Sequence, residues 1–129
     1  NKKFDIIVMM GVIEHLEFPL KELDIIKKYL HKGGLVVLWT GDYDSIYSKI
    51  LRKKWWYVIG QHIQLFSRKS LKFLFEKNGL EIFKIEENDI NGGSYRIYCR
   101  KFKNGSIKLP KENVLKLMKG FVKRVKKNL

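Results

Sequence analysis

The chain has 129 residues, room for one domain and one core. With 45% hydrophobic and 31% charged residues and only two prolines, it has the composition of a folded globular protein rather than a disordered or fibrous one. The formal net charge of +14 favours anionic partners, although lysine-rich composition alone produces such a charge.

No apolar run approaches the roughly 18 residues of a membrane span, and the N-terminus lacks the pattern of a signal peptide, so a cytoplasmic location is expected. The single cysteine, Cys99, has no second thiol for an internal disulfide or a metal site, and reads as a semi-buried strand residue. Asn1 opens the chain and a strand-like run starts at Phe4 with almost no lead-in. The sequence is therefore expected to belong to something longer.

Phe4-Asp5-Ile6-Ile7-Val8-Met9-Met10 is a nearly continuous apolar run, which suits a strand buried on both faces of a parallel sheet. Pro19 stands where a helix begins, and Leu20, Leu23, Ile26 and Leu30 follow at helical spacing until Gly33-Gly34 stops them. Leu35 to Thr40 is a second apolar strand, so the segment predicts a βαβ unit with a right-handed crossover. Tyr43 to Lys53 predicts a short helix with Ile46, Ile50 and Leu51 as its apolar face. Ser67 predicts the N-cap of a helix carrying Leu71, Leu74 and Phe75 and ending at Asn78-Gly79. Leu80 to Ile85 and Ser94 to Arg100 alternate apolar and polar residues about Asn91-Gly92-Gly93, which predicts an antiparallel hairpin. A last helix is expected from Pro110, with Val114, Leu117, Phe121 and Val125 on one face and lysines largely opposite.

In open α/β sheets ligands bind beyond the carboxyl ends of the strands. Here those ends are Met10-Gly11-Val12-Ile13-Glu14-His15 and Thr40-Gly41-Asp42-Tyr43. Phe4 to Ile7, Val12-Ile13-Glu14-His15-Leu16, Pro19-Leu20 and Leu30 to Leu35 resemble the fourth strand, following helix and fifth strand of class I S-adenosylmethionine-dependent methyltransferases. The resemblance continues through His62, Phe66-Ser67-Arg68 and Leu71 to Gly79-Leu80-Glu81 and covers residues 4 to 102. Gly92-Gly93-Ser94-Tyr95-Arg96 is similar to a turn of some sugar methyltransferases.

The resemblance implies an α/β fold: a partial Rossmann-like sheet, strands four to seven of the family pattern, with a terminal antiparallel hairpin and flanking helices. Residues 1–105 would be the C-terminal part of the catalytic domain, and residues 106–129 a basic amphipathic helix. The family's glycine-rich loop and the acid that holds the ribose have no counterpart in this sequence. The first strand is then expected to leave an apolar edge, open to self-association or to the missing strands.

S-adenosylmethionine is the implied cofactor, and a small molecule or glycan the implied acceptor. Met10, Gly11, Val12 and His15 are the implied cofactor-binding residues. One quinone-pathway branch holds a divalent metal with Glu-x-x-Glu-His, but the first of those positions is Gly11 here, so no metal is assigned. Glu14 and His15 equally suit a helix start and cap. His62 and Glu14 are the candidate catalytic groups, since imidazole titrates near neutrality and suits proton removal, and His62 equally suits a hydrogen-bonding role. Trp55, Trp56 and Tyr57 fit either an acceptor wall or core packing. The alternative function is a non-catalytic binding module whose C-terminal helix holds nucleic acid, membrane or a protein partner; residues 101–129 carry ten Lys or Arg against Glu112 alone.

Overall fold

The computed structural model describes residues 2–88 and 92–101. The helix expected from Pro110, and with it the 106–129 unit and its partners, lies outside the described residues. Four strands form one sheet in the order β1-β2-β4-β3. Strands β1 (Phe4–Met10) and β2 (Leu30–Gly41) run parallel, joined by a 3-10 turn at Ile13–His15 and helix α1 (Pro19–Tyr29). A six-residue helix, α2 (Ile46–Leu51), and a 3-10 turn at Arg52–Lys54 follow. Helix α3 (Arg68–Lys77) then leads into the antiparallel hairpin of β3 (Leu80–Asn88) and β4 (Ser94–Lys101), and β4 also pairs antiparallel with β2.

The core lies chiefly on one face of the sheet. Leu23 of α1 and Leu71 and Phe75 of α3, all fully buried, pack there on Val36, Leu38 and Ile97. Burying a side chain of this size stabilises by about 1.5–3 kcal/mol. The opposite face holds a smaller cluster of Leu35, Val37 and Tyr98, flanked by Ile6 and Phe83. Cys99 is fully rather than partly buried, and its burial pushes the thiol's pKa upward.

The caps follow their sequence signals. Pro19 occupies the first turn of α1, and the Ser67 side chain accepts from the Ser70 N–H while Ser70 Oγ accepts from the Ser67 N–H. Helix α3 stops at Lys77, before Asn78 and Gly79.

Three expectations are corrected. Helix α1 stops at Tyr29 rather than at Gly33-Gly34, because Leu30 is already extended, fully buried and paired with Phe4. The glycines sit instead in the irregular stretch where the pairing moves from Phe4–Leu30 to Ile6–Leu35. Helix α2 begins at Ile46 rather than Tyr43 and turns its expected apolar face outward, with Ile46 66%, Ile50 70% and Leu51 41% exposed. Its polar groups anchor it: Ser45 caps its start, and the buried Ser48 hydroxyl donates to the Tyr43 carbonyl. Strand β1 is not buried on both faces. It pairs with β2 alone among the described residues, and Phe4, Val8 and Met10 are exposed while Met9 enters the core. That is the apolar edge expected from the family's strand order.

Candidate functional site at the carboxyl ends of the parallel strands

The parallel pairing places Met10 beside Trp39, so the chain leaves β1 and β2 at the same end of the sheet. Gly11 stays tied to β2, its N–H donating to the Trp39 carbonyl at 3.0 Å, while its φ of +63° turns the chain away. A Cβ there would stand 3.5 Å from Glu14 Oε1 and 3.7 Å from the Trp39 ring, so the bare backbone forms a shallow cradle between them. Met10 and Val12 flank it, 47% and 39% exposed.

Glu14 lies beneath this cradle and is almost fully buried. The Tyr57 hydroxyl donates to Glu14 Oε1, and the Thr40 hydroxyl lies 3.1 Å from Glu14 Oε2 and 2.8 Å from Tyr57 Oη. A buried carboxylate held by two hydroxyls satisfies the requirement that buried polar groups be hydrogen-bonded. Burial, and then the hydrogen bond to Glu14, push the Tyr57 phenol pKa upward, which keeps it a donor. The Gln64 N–H donates to the Glu14 carbonyl at 3.2 Å, fastening the later loop to the same turn.

His15 and His62 meet edge to face, with ring centroids 4.8 Å apart. His15 Nδ1 lies 2.9 Å from the Gln61 carbonyl and His62 Nδ1 lies 2.6 Å from the Tyr57 carbonyl. Carbonyls only accept, so both Nδ1 atoms carry a proton, and in the neutral tautomer of each ring the lone pair lies on Nε2. Glu14, His15 and His62 together bring one donor atom each within 4.8 Å of the others, a set of the type that first-row divalent cations take. The spacing of positions 11, 14 and 15 shows only two of these donors, and His62 joins them through the fold.

The three aromatics divide. Trp55 and Tyr57 are 1% exposed and belong to the packing beneath the site, whereas Trp56 is 44% exposed. Trp56 stacks toward Trp39 with centroids 6.3 Å apart, and Trp55 and Trp56 both donate to the Gly92 carbonyl, at 2.8 and 3.1 Å. Gly92, just before β4, is thereby tied to this cluster. A Cβ on Gly93 would overlap the Ser45 hydroxyl, and Gly93 has φ of +92°, so glycine is required there by space as well as by conformation.

The structure thus unites Gly11, Glu14, His15, His62 and Trp56 at one end of the sheet. Thr40 was missed as a site residue, although a hydroxyl closing an otherwise apolar strand is a visible signal. Arg68 was missed in the same way: it spans the buried Asp42 at 3.1 Å and Glu87 at 2.7 Å, and those contacts hold the loop after β2 to the hairpin.

The sequence profile of the methyltransferase domain family matches residues 1–85. The chain belongs to that family. No curated protein matches it. Among solved structures, this methyltransferase domain is similar to an S-adenosylmethionine-dependent methyltransferase, possibly a histamine N-methyltransferase by its description, from Thermotoga maritima. That pair shows 22% identity and a TM-score of 0.61, over 78% of this chain and 57% of the other. It is similar also to an S-adenosylmethionine-dependent methyltransferase from Archaeoglobus fulgidus, at 20% identity and TM-score 0.63, over 78% and 61%. A third is magnesium protoporphyrin IX methyltransferase from Synechocystis, solved with bound S-adenosylhomocysteine, at 12% identity and TM-score 0.59, over 78% and 46%. The methyltransferase domain described here therefore spans about half to three-fifths of the length of these neighbours. Among the described residues no helix is long and apolar enough to cross a membrane.

Proposed function

We propose that these residues form the acceptor-side part of an S-adenosylmethionine-dependent methyltransferase acting on a small molecule or glycan. The rest of the cofactor site would come from a longer chain or another subunit. The observation that carries this reading is the cradle at Gly11, set at the carboxyl end of a parallel strand in a chain of the methyltransferase family. Met10 and Val12 flank it, His15 ends the turn that follows, and the side-chain-free backbone of Gly11 fits the close approach of the cofactor's methionine portion.

When bound, S-adenosylmethionine supplies an electrophilic methyl carbon, to which the acceptor atom bonds as the sulfur–carbon bond breaks. The chain's own residues orient the acceptor and manage its proton. His62 receives that proton on Nε2, since its Nδ1–H is committed to the Tyr57 carbonyl. Glu14 holds Tyr57, and thereby the carbonyl that orients His62, so its role is positioning rather than contact with the acceptor. Trp56 offers the aromatic face against which a sugar or planar acceptor rests.

Titration with S-adenosylhomocysteine tests the reading, run on the 129-residue chain and on the natural polypeptide at full length. Binding to at least one of them is expected, weakened about tenfold or more by Gly11→Val, which fills the cradle and forces a side chain into positive φ. If neither form binds, or if Gly11→Val binds as well as wild type, the reading fails.

A further inference from the structure

A groove of about 670 Å³ opens beside α2, lined by Lys49, Arg52, Lys53, Tyr43 and Trp55, with Asp44 the one acid on its wall. Its volume is in the range of small-molecule sites. Lys49 lies in the last turn of α2 and Arg52 and Lys53 open the 3-10 turn that follows, and all three cations line the groove. None of them takes part in an ion pair among the described residues. Asp44 Oδ2 already accepts from the Arg68 N–H. Three cations against one carboxylate leave the lining with two positive charges.

Two features of this segment oppose folding. Like charges gathered on one groove repel, and Arg52 is the one described residue other than glycine with positive φ, at +49°. A second basic groove, of about 540 Å³, lies at the opposite end of the sheet and shows the contrast. There Lys27 and Lys28 pair with Asp24, and Lys101 donates to the Leu30 carbonyl. The cations beside α2 have no such ion-pair partners among the described residues.

We propose that the α2 groove binds the phosphate of a phosphorylated acceptor of about sugar-phosphate size. Lys49, Arg52 and Lys53 take the dianion, and the exposed Tyr43 ring lies along its organic part. Tyr43 follows the carboxyl end of β2, which puts the groove at the same end of the sheet as the candidate methyl-transfer site. The assignment of the bound molecule as an acceptor rests on the methyl-transfer reading; the anion site itself rests on the groove.

Calorimetric titration with inorganic pyrophosphate at fixed ionic strength tests it. The triple variant Lys49→Gln/Arg52→Gln/Lys53→Gln is expected to weaken binding about tenfold or more, as lost charge-assisted hydrogen bonds do. The control Lys3→Gln/Lys27→Gln/Lys28→Gln removes the same charge from the other groove and is expected to change affinity less than about threefold. Equal losses in the two triples, or no loss in the first, overturn the proposal. Arg52→Gly separates binding from folding: it relieves the backbone and is expected to raise the thermal midpoint while still weakening pyrophosphate binding. Unchanged affinity in Arg52→Gly also overturns it. S-adenosylhomocysteine is titrated in parallel, and pyrophosphate binding specific to the α2 groove without cofactor-product binding places the failure on the methyl-transfer reading alone.

Discussion

The two edge strands of the sheet are built differently. Strand β3 carries Glu81, Lys84, Glu86 and Glu87, and its charges find partners: Lys84 bonds Glu86, Tyr98 Oη donates to Glu86 at 2.6 Å, and Arg100 meets Glu81 at 2.8 Å. Strand β1 has Asp5 as its one charge and leaves Phe4, Val8 and Met10 exposed. Natural edges are commonly guarded by charge, as β3 is. β1 instead has the composition of an interior strand, matching the place of its counterpart in the family's strand order.

The largest expected effect separates the two faces of β1. Met9→Asp puts an unpaired carboxylate into the main core and should cost more than about 4 kcal/mol in urea denaturation, whereas Val8→Asp, one residue away and 37% exposed, should cost less than about 1 kcal/mol. Similar losses at both positions would show that β1 is already covered on its outer face.

A smaller effect tests what anchors the end of β1. Tyr57→Phe removes a donor from buried Glu14 and a partner from Thr40, and should cost about 1–3 kcal/mol by the same denaturation measurement. A neutral result would mean that backbone pairing with β2 suffices to hold that end.

The smallest concerns β3. The hydrogen bond from Lys84, followed by that from Tyr98, holds the Glu86 pKa below the usual carboxylate range. Its stabilising contribution is therefore complete above the unfolded value of about 4.3 and is lost as pH falls through the lower folded value. Glu86→Gln should flatten stability against pH in that acid window while changing neutral-pH stability little, as read from thermal midpoints. An unchanged acid profile would show that the charges of β3 guard its edge without stabilising the fold.

Much of the fold was legible because its signals are local. Pro19, Ser67 and the Asn78-Gly79 pair mark helix ends by their own backbone chemistry, and the hairpin follows from alternation on either side of the glycine pair. The end of α1 was not legible, since Gly33-Gly34 is the stronger local stop and only the pairing of Leu30 with Phe4 overrides it. The outward face of α2 was hidden for the same reason: periodicity says which residues share a face, not whether anything packs against it.

The site was legible where it follows strand ends, at Met10, Gly11, Glu14 and His15. Its second half was not. Tyr57 is 43 positions from Glu14 and Thr40 is 26, so a cluster of adjacent aromatics reads alike whether it lines a surface or supports one. Trp55 and Tyr57 prove to support it, and Trp56 is left facing outward.

Cys99 gives the molecule a native gauge of its own opening. It is the one thiol in the sequence and lies fully buried in β4, between β2 and β3, with its pKa pushed upward. A thiol reagent meets it only in molecules whose sheet has parted, so the rate of labelling reports the opening equilibrium when closing outpaces the reagent. No dye need be attached, and ligands can be ranked by how far each one slows that clock.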